Sequence, residues 1–202
     1  MTGQFITFEG IEGSGKSTQI KLVAQHLQSL GHDIVLTKEP GGTRIGAKIR
    51  SLILDPETEL TAKNTEVLLF FADRLEHVET VIKPALAAGK IVLCDRYIDS
   101  TTAYQIGGRG VDKAIIDTLN TLINVMPNLT ILLDMPPEEG LGRAKIRGKL
   151  DRFEQEDIQF HERLRNQYLK TATENPDRIK LIPVSGKSVE DVFKLVIAEI
   201  TQ

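Results

Sequence analysis

The chain has 202 residues, 41% of them hydrophobic and 26% charged, with a net charge of −3 at pH 7 and a single cysteine. That length allows one domain with a substantial core, able to bury about 70% of its unfolded surface. The acidic balance argues against a general nucleic-acid binder, and lone Cys94 excludes an internal disulfide framework and a cysteine-rich metal site.

No charged-then-apolar leader precedes the first strand, and no apolar run approaches the length of a membrane span. The expectation is a soluble cytoplasmic protein that works without nucleic acid or membrane.

Phe5-Ile6-Thr7-Phe8 reads as a buried strand, and Ile20 to Leu30 has helical spacing closed by Gly31. Between them Gly10-Ile11-Glu12-Gly13-Ser14-Gly15-Lys16-Ser17-Thr18 fits G-x-x-x-x-G-K-[ST], the phosphate-binding loop, in the strand–loop–helix context it requires. Glycines let successive N–H groups converge on one anion, and the helix N-terminus adds partial positive charge. Lys16 supplies a cation for the outer phosphates of a nucleotide, and the Ser17 hydroxyl suits Mg2+.

Ile34-Val35-Leu36 is a short strand running into the loop Glu39-Pro40-Gly41-Gly42-Thr43, and Ile45 to Leu54 is helical. Thr61 to Ala88 is a long helical stretch that Pro84 kinks or divides before Gly89 ends it. Ile91 to Cys94 is a strand closing on Asp95-Arg96-Tyr97, and Asp112 to Val125 is helical. Leu129 to Leu133 is the fourth strand, Pro137 opens a short helix, and Asp157 to Thr173 is an amphipathic helix. Ile179 to Ile182 is the fifth strand, and Ser188 with Asp191 starts the last helix in the manner of a capping box. Short apolar strands alternating with helices predict an α/β fold: a five-stranded parallel sheet with helices on both faces, in one domain. Ligands of such sheets bind beyond the C-terminal strand ends, which carry Glu9 and the phosphate loop, Glu39 with Pro40, Asp95-Arg96 and Asp134.

Asp95 is placed to hold Mg2+ through water opposite Ser17, the alternative being a carboxylate that caps the next segment. Arg96 has a planar fork suited to a second phosphate. Phe70 and Arg74 lie four apart on one helix face, an arrangement that can stack and bond a planar base. Read alone, it fits core packing with a surface arginine better. Ser100, Thr101, Tyr104 and Gln105 offer hydroxyls, a phenol and an amide to a base edge and a sugar. Arg143 to Glu154 holds Arg143, Lys145, Arg147, Lys149 and Arg152 in an otherwise acidic chain. Such a run is usually a solvated helix face; with Gly148 as a hinge it also reads as a mobile lid closing over a phosphoryl group.

Together the stretches Phe8 to Ser17, Glu39 to Thr43, Leu68-Leu69-Phe70 with Arg74, Asp95-Arg96-Tyr97, Ser100-Thr101 with Tyr104-Gln105, Gly107 to Gly110, and Arg147 to Arg152 resemble the thymidylate kinase family in its bacterial form. The resemblance implies transfer of a phosphoryl group from ATP, with Mg2+, to dTMP, in the making of dTTP. It implies that Phe70 stacks on thymine and that Arg74 and Gln105 bond its edge. Arg96 would hold the dTMP phosphate, with Arg50, Glu39 and Pro40 lining that side. Glu12 would reach the deoxyribose 3′-hydroxyl, and Tyr104 would crowd a 2′-hydroxyl. It implies a homodimer too. Eukaryotic members carry a catalytic arginine at the position of Gly13; its absence here assigns that duty to the lid, with Arg147 first and Arg143 and Arg152 next. The alternatives are a nucleotide kinase with another acceptor and, from a different class, a nucleotide-dependent switch or partition ATPase. The chain has no Asn-Lys-x-Asp base-reading motif, and Ile11-Glu12 stand where a partition ATPase carries a second lysine.

Overall fold

The computed structural model describes residues 3–201; the side chains of Lys63 and Arg147 lie outside the described set. Five strands, β1 (Gln4–Glu9), β2 (Ile34–Lys38), β3 (Ile91–Asp95), β4 (Leu129–Asp134) and β5 (Ile179–Pro183), form one sheet in the order β2-β3-β1-β4-β5. Every pairing is parallel, as the alternation of strands and helices predicts. The two-residue period of a strand divides the core. Ile6, Phe8, Ile91 and Leu93 face Ile20, Val23 and Leu27, whereas Phe5, Val92 and Cys94 face Val67, Phe71, Val78 and Ile82.

The helix after the phosphate loop, α1 (Lys16–Ser29), starts at Gly15 without a side-chain cap, so its first N–H groups are left for an anion. Thr43 caps α2 (Arg44–Leu54) by accepting from Gly46 N. The long helical stretch is divided as Pro84 requires. It comprises α3 (Lys63–His77), a π-helical turn (Val78–Ile82) and α4 (Lys83–Ala87). Proline has no N–H to give Thr80 and its ring crowds that carbonyl, so the turn ahead of it widens.

Two segments depart from expectation. Ile98 to Gly108 is helical, as α5 (Ile98–Thr101) followed by a π-helical turn (Thr102–Gly108). The expected helix Asp112 to Val125 is shorter: Asp112 caps α6 (Lys113–Asn120), and tight bonds such as Ile123 N to Asn120 O turn the chain towards β4. The basic run is part helix, because α7 (Pro137–Arg147) continues to Gly148, whose φ of 134° ends it. Beyond it Asp151 Oδ1 accepts from Phe153 N and Glu154 N and shapes a turn. Then α8 (Ile158–Glu174) packs along Thr102–Gly108, and α9 (Val189–Ile200) begins at Ser188, which accepts from Asp191 N.

Candidate active site

A cleft of about 520 Å3 opens over the C-terminal ends of β1, β2 and β3. On one side lies the phosphate loop. Gly13, Gly15, Ser17 and Thr18 face the cleft, while Gly10, Ile11 and Ser14 form the backing of the loop. Lys16 Nζ donates to Gly10 O (2.9 Å), Ile11 O (2.7 Å) and Ser14 Oγ (3.3 Å). Burial, and then the charge of Arg96, depress the Lys16 ammonium to about 8.

Ser17 Oγ donates to Asp95 Oδ2 at 2.7 Å, joining the start of α1 to the end of β3. This overturns the reading of Asp95 as a cap for the next segment. Among the described residues no group of three or more His, Cys, Asp and Glu could hold a metal. A hydroxyl and a carboxylate are nonetheless the hard oxygen donors that suit Mg2+, which keeps several waters and binds phosphates as well.

Arg96 leaves β3 with a φ of 70°, a conformation that costs a non-glycine residue about 1 kcal/mol or more. The surrounding bonds hold it there. Its Nη1 donates to Gly10 O (3.0 Å), Ser100 Oγ (3.2 Å) and Tyr168 Oη (3.2 Å), and its Nη2 to Glu12 Oε1 (2.9 Å). Tyr104 also donates to Glu12 Oε1. Burial alone would raise the Glu12 carboxyl, but Arg96, His161, Lys16 and Tyr104 together hold it far below the usual range. Beneath this layer, buried Glu9 accepts from Tyr97 N (2.7 Å), Ser100 Oγ (2.5 Å) and Tyr168 Oη (3.1 Å). Burial, then the charge of Asp99, push the Glu9 carboxyl up to about 7.

The opposite wall holds Glu39, Pro40, Arg50, Phe70, Arg74, Thr101 and Tyr104. Arg74 is 1% exposed, which overturns the surface-arginine alternative. Its Nε donates to Glu39 Oε2 (2.7 Å) and its Nη2 to Tyr97 O (3.0 Å), while its buried Nη1 has no partner among the described residues. His77 Nδ1 and Glu39 Oε1 lie 2.8 Å apart, so the Glu39 carboxylate is occupied in positioning Arg74. Arg50 Nη1 donates to Pro40 O at 2.8 Å. Gln105 departs from expectation: it is fully buried behind the wall, and its Nε2 donates to Glu66 Oε1 at 2.7 Å.

The arginines expected on a lid separate. Arg143 lines the cleft and donates to Glu139 Oε1 at 2.6 Å. Arg152 does not reach it: its Nε donates to Ile53 O (2.8 Å) at the end of α2, and its Nη2 to Glu66 Oε2 (2.6 Å). The anchorage follows from chemistry, since the last carbonyls of a helix lack partners and attract a cation. The Arg147 side chain is the one lid candidate outside the described residues. Sequence reasoning missed Phe153, which lines the cleft with its ring centroid 6.2 Å from that of Phe70. It also missed Glu66, His77 and His161, and it placed Glu9 at a strand end without giving it a role. A carboxylate or imidazole set among apolar residues was the available signal, but it names no partner.

The chain matches the thymidylate kinase family model over residues 8–196. It is 50% identical over 188 residues to a thymidylate kinase from Geotalea uraniireducens (strain Rf4), covering 89% of this chain and 88% of that one. It is 50% identical over 194 residues to one from Ectopseudomonas mendocina (strain ymp), covering 95% and 92%. The crystal structure of the thymidylate kinase from Ehrlichia chaffeensis superposes with a TM-score of 0.82 over the whole of both chains, at 36% identity. The chain belongs to the thymidylate kinase family.

Proposed function

We propose that this chain transfers the γ-phosphoryl group of ATP to dTMP, giving dTDP and ADP, with Mg2+ held at Ser17 and Asp95. The reading rests on family membership and, above all, on two anion grips in one cleft: the phosphate loop with Lys16, and Arg96 across from it.

A phosphate monoester has a second pKa of about 6, so dTMP presents a dianionic nucleophile at neutral pH and needs no general base. The barrier is repulsion between two anions, and the chain answers it with cations. Lys16 leaves the loop carbonyls for the donor phosphates. Arg96 exchanges part of its carbonyl and hydroxyl bonds for the acceptor phosphate while Glu12 keeps its guanidinium in place. Mg2+ supplies charge neutralisation and orientation of the donor phosphates. Arg143, exposed on α7, or Arg147 closes as the lid over the transferring group; Arg152 anchors the lid stem. Phe70 stacks on the base, and the unpaired Arg74 Nη1 meets one of its carbonyl oxygens. Glu12 and Tyr104 close around the sugar, which disfavours a 2′-hydroxyl. The protein works in the cytoplasm as a homodimer, with exposed Ile45, Leu52 and Leu68 on α2 and α3 available for the partner.

A coupled assay with dTMP, dUMP, dCMP, GMP and thymidine as acceptors tests this reading. The expected result is highest kcat/KM with dTMP and strict dependence on Mg2+. Phosphorylation of thymidine but not dTMP would overturn it.

A further inference from the structure

His161, on α8, is 1% exposed, and neither of its ring nitrogens has a hydrogen-bond partner among the described residues. A third orphan stands beside them: Glu12 Oε2 is buried and equally without a hydrogen bond, and His161 Nδ1 lies 3.6 Å from it. A carboxylate only accepts, so the nitrogen that faces it carries a proton, and donor and acceptor match. A shift of less than about 1 Å would close the gap to a hydrogen bond. The helix is placed for this. Tyr168, seven residues on and on the same face of α8, accepts from Arg96 Nη1 at 3.2 Å, so one helix face backs both Glu12 and Arg96.

The form of the Glu12–Arg96 pair is an independent observation. A carboxylate and a guanidinium frequently meet as a fork of two parallel bonds. Here Glu12 gives Arg96 one oxygen only: Oε1 accepts from Nη2 at 2.9 Å and from the Tyr104 hydroxyl as well. Nη1 of Arg96 is left to Gly10 O, Ser100 Oγ and Tyr168 Oη, uncharged acceptors that an anion can displace. A forked Glu12 would fill both Nη groups and leave no such edge for a phosphate.

We propose that His161 is a positioning residue: it draws Glu12 Oε2 towards α8, keeps Glu12 on Arg96 by one oxygen, and so reserves Nη1 of Arg96 for the acceptor phosphate. This rests on the reading that Arg96 grips that phosphate. Without His161, Oε2 has no donor on its own side and swings to Nη1, where it competes with the ligand as a tethered anion. His161 does not itself line the cleft, so its effect passes through Glu12 and Arg96, which do.

Thymidine and dTMP differ by the phosphate alone, so the ratio of their Kd values, measured by calorimetry, isolates the grip on it. In His161→Leu the preference for dTMP should fall about tenfold, as the loss of one charge-assisted bond implies. His161→Asn sets an amide nitrogen near the place of Nδ1 and should restore the preference to within about threefold of the parent. His161→Phe, which keeps the ring and its contact with Phe160, serves in place of His161→Leu if that variant does not fold. Weaker binding of both ligands with the ratio unchanged, or an Asn variant no better than the Leu one, would make His161 merely structural and overturn the proposal. Arg96→Ala separates the two layers. If that variant loses the preference for dTMP and the His161 variants keep it, the inference alone fails; if Arg96→Ala keeps it, the reading of Arg96 at the acceptor phosphate fails too.

Discussion

Gly13 and Gly140 meet backbone to backbone: a Cβ on Gly13 would stand 2.1 Å from Gly140 O, and one on Gly140 would stand 2.3 Å from Glu12 O. The phosphate loop is therefore packed against the first turns of α7, the helix that carries Arg143 and Arg147. The contact leaves no room at position 13 of this chain for an arginine in the loop. With φ at 71°, position 13 is strained for any side chain, and here a side chain also has no room.

Gly13→Arg should accordingly fail to install a second catalytic cation. The expected outcome is a thermal midpoint lowered by several degrees, as a clash and left-handed strain of about 2–3 kcal/mol imply. Turnover should fall with it, because α7 is displaced. Thermal unfolding and single-turnover kinetics on the purified variant check both.

The lid arginines should divide by the kind of damage their loss causes. Arg143→Ala removes an exposed side chain that lines the cleft; kcat should fall by about 10²-fold or more with the dTMP KM and the stability little changed. Arg147→Ala should show the same signature if that residue shares the duty. Arg152→Ala leaves Glu66 Oε2 and the end of α2 without their donor while Arg109 stays at Glu66 Oε1, and should cost about 1–3 kcal/mol of stability, read from urea unfolding.

Much of this division was not legible in the sequence. The phosphate loop, the five strands and the polar groups at their ends could be read because each is a local pattern: a spacing, an apolar run, a glycine. Even Pro84 could be read as an interruption of the long helix, since its missing N–H acts within one turn. By contrast, Arg152 looks like Arg143 until the fold brings Ile53 and Glu66 to it. Gln105 looks like a residue of the cleft wall until Glu66, 39 positions earlier, turns it inward. The helical segment from Ile98 to Gly108 escaped because polar Asp99, Ser100, Thr101 and Gln105 are buried in it beside Ile98, Ala103 and Tyr104, so apolar periodicity is broken.

Stability should fall as pH rises from about 4.5 towards 7, with Glu9 the main cause. The folded carboxyl titrates near 7 against an ordinary 4.5, so folding takes up a proton in that window. Its contribution, on the order of 3 kcal/mol, is complete below the unfolded value and lost as pH passes the folded one. Asp73, pushed up to about 6 by burial and by Glu39, acts in the same direction. Glu12, held low, acts in the opposite sense and loses its contribution as the solution becomes more acid than about 4.5. Urea unfolding of Glu9→Gln at several pH values should show a flatter profile between about 5 and 7 than the parent protein.

Removal of either oxygen of the Ser17–Asp95 pair should weaken Mg2+ dependence specifically. Asp95→Asn and Ser17→Ala are each expected to raise the Mg2+ concentration for half-maximal rate at least tenfold, with kcat lowered as well. Titration of Mg2+ at saturating ATP and dTMP measures it, and an unchanged half-saturation point would place the metal elsewhere.

On the proposed function, one cleft holds a donor and an acceptor and passes a phosphoryl group directly between them. 31P NMR of the protein with ATP, Mg2+ and dTMP tests this direct transfer. The expected result is dTDP and ADP in equal amounts, with no inorganic phosphate formed at a comparable rate. Release of inorganic phosphate from ATP with dTMP left unchanged would contradict it.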